Sequence, residues 1–146
     1  MATTTATITL ASSDIGDNAI SISNTSTLHT AGTDTGISET TGLGRKKFAD
    51  NSNIVLLDGG LTSGIAADVT ADKSAKVYIK NMNDRGDGTK YVNILLAAVE
   101  IGRLYGGDWM FIPWCAASGK DIEFTCESTS GADATETTLE YCVFYE

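Results

Sequence analysis

Histidine and basic residues are scarce in this chain of 146 residues, and each shortage excludes a class of protein. One histidine leaves little room for histidine-based catalysis and none for a multi-histidine metal site. Ten Lys and Arg against 19 Asp and Glu give a formal charge of −9, which argues against a general nucleic-acid-binding protein, because such proteins neutralise phosphates with basic side chains. Anionic lipid would repel the same charge, so a peripheral membrane role is disfavoured too.

Long apolar runs and paired cysteines are also missing. No apolar run approaches the ~20 residues that cross a bilayer, and the N-terminus lacks the basic flank and apolar stretch of a signal peptide, so we expect folding in a cytoplasm. Cys115, Cys126 and Cys142 lack C-x-x-C spacing, which disfavours zinc. Their strand-like surroundings predict small buried residues with reduced thiols, and a Cys126–Cys142 bridge is the alternative. No metal or cofactor is predicted.

The residues that are abundant favour strands and turns. Glycine accounts for 15 residues and proline for one, and threonine is concentrated in the first 41 positions. Apolar patterns typical of strands, mostly alternating with polar residues but a short apolar run at 54–57, predict strands over residues 5–10, 19–23, 54–57, 75–81, 91–99, 100–104, 109–114, 120–126 and 138–145. Strands of this length between glycine turns predict an all-β fold, an antiparallel β-sandwich of the jelly-roll type.

The first third of the chain has few apolar anchors. Residues 24–44 are mostly Ser, Thr and Gly, and such a segment is uncommon inside a compact domain. This composition predicts an extended N-terminal arm that becomes ordered against a partner. We therefore expect residues 1–48 to form a Thr/Gly-rich arm with early strands, and residues 49–146 to form the sandwich body, within one domain overall.

Short motifs offer weak candidates for chemistry. Arg85-Gly86-Asp87 matches the tripeptide that integrins bind, but a hairpin turn needs the same polar residues. His29 stands alone, without the G-x-S-x-G sequence of a nucleophile elbow. Acidic residues of a glycosidase type are predicted to be solvated on outward strand faces: Glu123, Glu127, Glu136 and Glu140. No catalytic residue is predicted, and we expect the protein not to be an enzyme.

Aromatic residues cluster in the second half of the chain. Trp109 and Trp114 lie near Tyr105 and Phe111, and strand alternation puts the two tryptophans on opposite faces. One face would fill the core, while the other would be covered by a subunit contact or would stack on a sugar. The sequence leaves these alternatives open.

Three segments resemble small virion proteins of tailed bacteriophages. They are Val-Tyr-Ile-Lys-Asn at 77–81, the run at 100–113 containing Gly-Gly-Asp-Trp, and Leu-Glu-Tyr at 139–141. In those proteins a YIKN strand precedes a G-r-L-x-x-G-(D/E)-W-x-x-x-P hairpin, and an L-E-Y-x-x-F strand closes the chain. The likeness covers residues 76–146, and this chain has Gly106 where those proteins often carry proline. The resemblance implies a β-sandwich that belongs to a virion.

Composition and resemblance together predict a structural virion protein. We expect a capsid decoration or cement protein that binds neighbouring capsid subunits as a homo-oligomer, and a trimer is one option because capsid lattices offer threefold positions. The alternatives are a tail, neck or fibre-attachment protein, a carbohydrate-binding module for the host surface, and a small hydrolase. The expected location is the virion, assembled in the host cytoplasm, with other virion proteins as partners and neither nucleic acid nor membrane.

The residues predicted to contact partners fall in three groups. An exposed arm can add a strand to a partner's sheet, and the basic cluster and the aromatic residues offer further contacts. The candidates are Thr5, Thr7, Ile8 and Leu10 in the arm, Arg45, Lys46 and Lys47 in the basic cluster, and Tyr105, Trp109 and Trp114 among the aromatics.

Overall fold

The computed structural model describes residues 3–13, 19–29, 34–37, 39–48, 53–59, 74–86, 90–128 and 137–145. These residues form eleven strands: β1 (Thr5–Ser12), β2 (Ile20–Thr27), β3 (Glu39–Thr40), β4 (Gly44–Phe48), β5 (Ile54–Leu57), β6 (Ser74–Asn81), β7 (Lys90–Leu96), β8 (Val99–Tyr105), β9 (Trp109–Cys115), β10 (Ile122–Ser128) and β11 (Thr137–Tyr145). Every strand pair is antiparallel, which confirms the predicted all-β antiparallel fold. Among the described segments, none is a helix long and apolar enough to cross a membrane.

The chain divides into two compact units, Met1–Ser38 and Glu39–Glu146. In the first unit, β1 and β2 pair along their full length of eight residues each. The chain after β2 stays attached to the hairpin, because the Leu28 amide donates to the Thr4 carbonyl at 2.8 Å and the Ile37 amide donates to the Leu28 carbonyl at 2.8 Å. Leu28 and Ile37 are buried.

The second unit contains two open sheets. The four-stranded sheet has the order β5-β10-β7-β8, and the five-stranded sheet has the order β3-β11-β6-β9. The fifth strand, β4, pairs with β11 over Thr137–Tyr141, while β3 pairs with the end of the same strand. Residues 39–48, which the sequence prediction assigned to the arm, are thus edge strands of this unit.

The core lies between the two sheets and follows the alternation seen in the sequence. The inward side chains come from every second residue of the central strands: Ala75, Val77 and Ile79 of β6, Leu139, Tyr141 and Val143 of β11, Val92 and Ile94 of β7, and Ile122, Phe124 and Cys126 of β10. The rings of Phe48 and Phe124 join the two sheets edge to face, with centroids 4.3 Å apart. Burying each large apolar side chain contributes about 1.5–3 kcal/mol.

The strand predicted over 91–99 is interrupted by a turn. β7 ends at Leu96, and Leu96 pairs with Val99 at the start of β8, so Ala97 and Ala98 alone form the connection. Both alanines have positive φ, 52° and 62°, as a two-residue turn between twisted strands requires. The prediction missed the turn because Ala-Ala lacks the Gly or Asn that usually occupies such positions. The Ala97 amide donates to the Asp121 carbonyl at 3.0 Å and holds the turn in place.

The cysteine prediction is right for two thiols and wrong for the third. Cys126 and Cys142 are buried and free, whereas Cys115 is free and exposed. Cys115 lies at the last position of β9, on the face opposite Trp114, and therefore points away from the core.

Candidate functional site

The outer face of the five-stranded sheet carries aromatic side chains instead of the usual polar ones. We call Tyr78, Trp109, Phe111 and Phe144 the aromatic face; they alternate with the core residues of β6, β9 and β11. The Tyr78 and Trp109 rings lie 6.5 Å apart, and the Phe111 and Phe144 rings lie 6.3 Å apart. Trp109 is 51 % exposed, so the largest ring of the face is half uncovered.

Basic residues lie beside the aromatic face on β4 and β6. The strand registers place Arg45, Glu140, Lys80 and Trp109 in one row across β4, β11, β6 and β9. Lys76 lies two residues from Tyr78 on the same face. These positive side chains stand out in a chain whose formal charge is −9. The residues beside the aromatic face are therefore mainly basic, and Glu140 is the one acidic member of the row.

Glu140 is buried, in contrast to the solvated position predicted for it. Only 7 % of this residue is exposed, because β4 brings Arg45 directly opposite it. The Arg45 guanidinium donates to the Glu140 carboxylate from Nε at 2.7 Å and contacts it again from Nη2 at 2.7 Å. Burial raises the pKa of Tyr78, and the neighbouring Glu140 carboxylate raises it further. The phenol and the carboxylate are 3.5 Å apart.

A buried asparagine fixes the turn from which Trp109 starts. Asn81 is fully buried, and its Nδ2 donates to the Leu104 carbonyl at 3.0 Å. Its backbone carbonyl accepts from the Gly107 amide at 2.9 Å, and its amide donates to the Asp108 carbonyl at 3.0 Å. Asn81 belongs to the segment 77–81 and the turn to the segment 100–113, so the residues of the sequence resemblance meet here. Their contacts set the starting position of Trp109.

Gly106 lets this turn approach the preceding loop. A Cβ atom at Gly106 would collide with the backbone carbonyls of Asp84 and Asn83. The turn closes further through Asp108, whose side chain accepts from the Tyr105 amide at 3.1 Å and from Arg85 at 2.8 Å. The close contact therefore requires a residue without a Cβ atom at position 106.

A second exposed apolar surface lies on the hairpin of the first unit. We call Ile8, Leu10, Ile20 and Ile22 the aliphatic face; they occupy one side of the β1–β2 ribbon, with Leu10 directly opposite Ile22. They are 38 %, 54 %, 45 % and 52 % exposed, in that order. The other side carries hydroxyl and small side chains, and Thr7 and Thr25 are joined by a hydrogen bond of 3.0 Å between their Oγ1 atoms.

The predicted contact residues of the arm and the basic cluster occupy three different places. Ile8 and Leu10 belong to the aliphatic face, and Thr5 and Thr7 lie on the opposite side of that ribbon. Arg45 pairs with Glu140 beside the aromatic face. The remaining two basic candidates also lie on β4: the Lys46 ammonium is 5.3 Å from the Phe48 ring centroid, and Lys47 is opposite Thr138.

The three aromatic candidates separate as well. Trp109 is half exposed, whereas Trp114 is 2 % exposed, packs in the core and donates from Nε1 to the Lys120 carbonyl at 2.6 Å. Tyr105 lies in the other sheet, with its ring 5.4 Å from that of Tyr91. The structure therefore brings Arg45 and Trp109 into one row and leaves Trp114 and Tyr105 outside it.

Sequence reasoning missed several members of both faces as contact residues. Tyr78, Phe111 and Phe144 lie within predicted strands, and Ile20 and Ile22 lie on one side of the strand predicted over 19–23, but none of the five is among the predicted contact residues. For Phe111 and Phe144 the sequence signal is an apolar pattern on both faces of the strand, which implies a cover on each side. The signal does not tell which face turns inward, because that depends on the pairing of distant strands.

The other chemical candidates lie in isolation. His29 is exposed, and its Nδ1 lies 3.1 Å from the Asp34 carbonyl oxygen. Arg85 pairs with Asp108, while Asp87 of the same tripeptide lies outside the described residues. Glu136 and the Glu127 side chain also fall outside them. In the part of the chain that the structure describes, no three His, Cys, Asp or Glu side chains gather as metal ligands.

Comparison with known proteins identifies no relative: no protein family matches the chain, and no curated protein is significantly similar to it. The two exposed faces therefore supply the structural basis for a functional proposal.

Proposed function

We propose that the chain is a non-enzymatic structural protein of a tailed-phage particle, a capsid decoration or cement protein that binds neighbouring capsid subunits through its aromatic face. The observation that carries the proposal is Trp109, which is 51 % exposed at the start of a strand held by Asn81. A half-exposed tryptophan on a sheet suits an anchoring role in a protein contact, since the residues that dominate binding energy at interfaces are enriched in tryptophan, tyrosine and arginine.

The charges around Trp109 specify the partner's chemistry. Lys80 is next to Trp109 across the strand pair, and Lys76 lies further along the same strand. A rim of cations around an aromatic centre suits a partner surface that presents carboxylates. We therefore propose an acidic patch on a capsid subunit as the docking site, with the protein located in the virion and assembled in the host cytoplasm.

The sequence resemblance supports the same proposal. Segments 77–81 and 100–113 resemble virion proteins, and their residues build the turn that positions Trp109. A sheet that presents one anchor in a fixed place is what a capsid-binding protein needs. A tail, neck or fibre-attachment role would use the same contact at another position in the particle.

A carbohydrate-binding role is the second candidate. The exposed Trp109 ring, with the Tyr78 ring 6.5 Å away, could stack on a sugar, and Lys80 beside it could donate hydrogen bonds to hydroxyl groups. Binding of the purified protein to host polysaccharide, lost in Trp109→Ala, would favour this role over the capsid contact.

A binding experiment with capsids that lack this protein tests the proposal. The wild-type chain should bind saturably, and Trp109→Ala should weaken binding at least ~100-fold, as expected for removal of a central anchor. Val99→Ala is the matched control, since Val99 is 65 % exposed but lies on the other sheet. Equal binding by all three proteins, or no capsid binding by the wild type, would overturn the proposal.

A further inference from the structure

The β1–β2 hairpin exposes apolar surface that a stable protein normally covers. The four side chains of the aliphatic face are between 38 % and 54 % exposed. Among the described strands, none pairs with the free edge of β1 or β2. An isolated two-stranded hairpin is marginally stable in water, and a third strand or a packing partner is what stabilises it. The exposed apolar side of the hairpin is therefore a candidate contact surface.

The charge of the hairpin points to the identity of the partner at that surface. The two strands, TATITLAS and ISISNTST, contain no Asp, Glu, Lys or Arg, although the whole chain has a formal charge of −9. Identical copies of such a chain repel one another, so they can associate most easily where each copy is uncharged. A surface that binds a charged partner normally carries charges of the opposite sign, and these strands carry none.

The dimensions of the ribbon set the strength of the contact. Strands of eight residues are about 27 Å long, and a two-stranded ribbon is about 10 Å wide, so one face covers roughly 300 Å². A stable dimer buries roughly 800 Å² per partner. Contact between two aliphatic faces alone is therefore weak and reversible, and it becomes strong only where many copies are held together.

We propose that the aliphatic face is a homotypic association surface that packs against the same face of a second copy of this chain. Leu10 and Ile22 form its centre, because they are the most exposed members and lie directly opposite each other. The self-contact goes beyond the proposed capsid contact and does not depend on it, since the two use different faces in different units.

Sedimentation of the full chain over a range of concentrations tests the proposal. The wild type should associate reversibly, and Leu10→Thr/Ile22→Thr should associate at least ~tenfold more weakly, because each exchange removes buried apolar surface while keeping a strand-forming residue. Thr9→Ala/Ser23→Ala, a cross-strand pair on the other side of the ribbon, is the control and should associate like the wild type. Wild-type protein that stays monomeric at every concentration, or equal association by both double variants, would overturn the proposal.

Crosslinking between copies tests which side of the β1–β2 hairpin forms the contact, without relying on variants that could unfold the hairpin. In a Cys115→Ser background, which removes the exposed thiol, Leu10→Cys should be joined between copies by a short bismaleimide, whereas Thr9→Cys should not. Equal crosslinking at the two positions would contradict a contact through the aliphatic face.

Salt distinguishes this contact from capsid binding. Added sodium chloride screens the repulsion between copies and should strengthen self-association, whereas it should weaken a contact that uses Lys76 and Lys80. Self-association that falls as salt rises would contradict the uncharged contact. The Leu10→Thr/Ile22→Thr variant should still bind capsids when the amount of protein is low enough that bound copies do not contact one another. Failure of the self-association proposal can therefore be distinguished from failure of the capsid-binding proposal.

Discussion

At the residue scale, Glu140 shows what alternation along a strand can and cannot predict. The sequence predicts that Glu140 lies on the side of the strand opposite Leu139 and Tyr141, and in the structure those two neighbours point into the core. The burial of Glu140 does not follow from the sequence, because the residue that covers it, Arg45, is 95 positions away and arrives through the pairing of β4 with β11. Alternation predicts which residues share one side of a strand. Whether a residue on that side is buried depends on which distant strand becomes its neighbour.

Removal of Arg45 should therefore destabilise the fold more than removal of a surface arginine does. Arg45→Ala leaves a buried carboxylate without its cation, and we expect the free energy of unfolding to fall by about 1–2 kcal/mol, a value reduced because 62 % of the Arg45 side chain is exposed. Urea unfolding measures the change.

The control for Arg45 is Arg103, whose ion pair with Glu100 is exposed at both ends. Arg103→Ala should have a smaller effect, and adding Glu140→Gln to Arg45→Ala should recover part of the loss by removing the unpaired charge. Equal destabilisation by the two arginine variants would show that burial of Glu140 does not matter.

Ionisation of Tyr78 should lower the free energy of unfolding at alkaline pH. Burial, followed by Glu140, raises the pKa of its phenol above the ordinary value of 10.0, so the native state keeps a proton that the unfolded chain releases. The free energy of unfolding contributed by this group is complete below about pH 10 and is lost as the pH rises through the folded pKa. Urea unfolding at about pH 9 and about pH 11 should show a smaller decrease for Tyr78→Phe than for the wild type. The same decrease in both proteins would contradict the assignment.

At the element scale, most strands could be predicted, whereas β3, β4 and one turn could not. Strand β6, predicted over 75–81, spans Ser74–Asn81, and β5 has the predicted bounds of 54–57. Both show regular apolar patterns between polar residues. The turn between β7 and β8 consists of Ala97 and Ala98, which have no turn preference, and the pairing of the flanking strands forces them into positive φ. Pairing overrides local preference at this point, and a single sequence does not reveal pairing.

The strained turn should be improved by glycine. Ala98 has a φ of 62° and an exposed side chain, so Ala98→Gly relieves strain and loses no packing. We expect the free energy of unfolding to rise by about 0.5–1 kcal/mol after the entropy of the unfolded glycine is included. Ala98→Val is the matched opposite and should destabilise, because a β-branched side chain tolerates positive φ poorly. Thermal unfolding of the wild type and the two variants measures the order of their stabilities. A lower stability for Ala98→Gly than for the wild type would contradict strain at this position.

At the scale of the whole molecule, the two proposed contact surfaces belong to different units of the chain. The aliphatic face lies in the unit Met1–Ser38, and the aromatic face lies in the unit Glu39–Glu146. The acidic composition predicts nothing about where the ten basic residues lie in the fold. Arg45 comes from β4, whereas Lys76 and Lys80 both come from β6, and the two strands lie in one sheet because β11 pairs with each of them.

Assembly should protect the first unit from proteolysis. The strands of the hairpin are exposed along almost their whole length, so protease should cut within residues 1–38 faster in dilute free protein than in assembled particles. Mass spectrometry of the fragments over time measures the two rates. Equal cleavage rates in both states would remove the partner-ordered arm from the account.

The most direct measurement of the proposed role is a cryo-electron microscopy map of a particle that contains this chain, at a resolution that shows side chains. The account predicts copies at regular positions on the capsid, with Trp109 against an acidic patch of a capsid subunit and the Leu10–Ile22 surfaces of neighbouring copies in contact. A map that shows the Trp109 ring in solvent and the aromatic face uncovered would contradict the account. So would the finding that purified particles do not contain the chain.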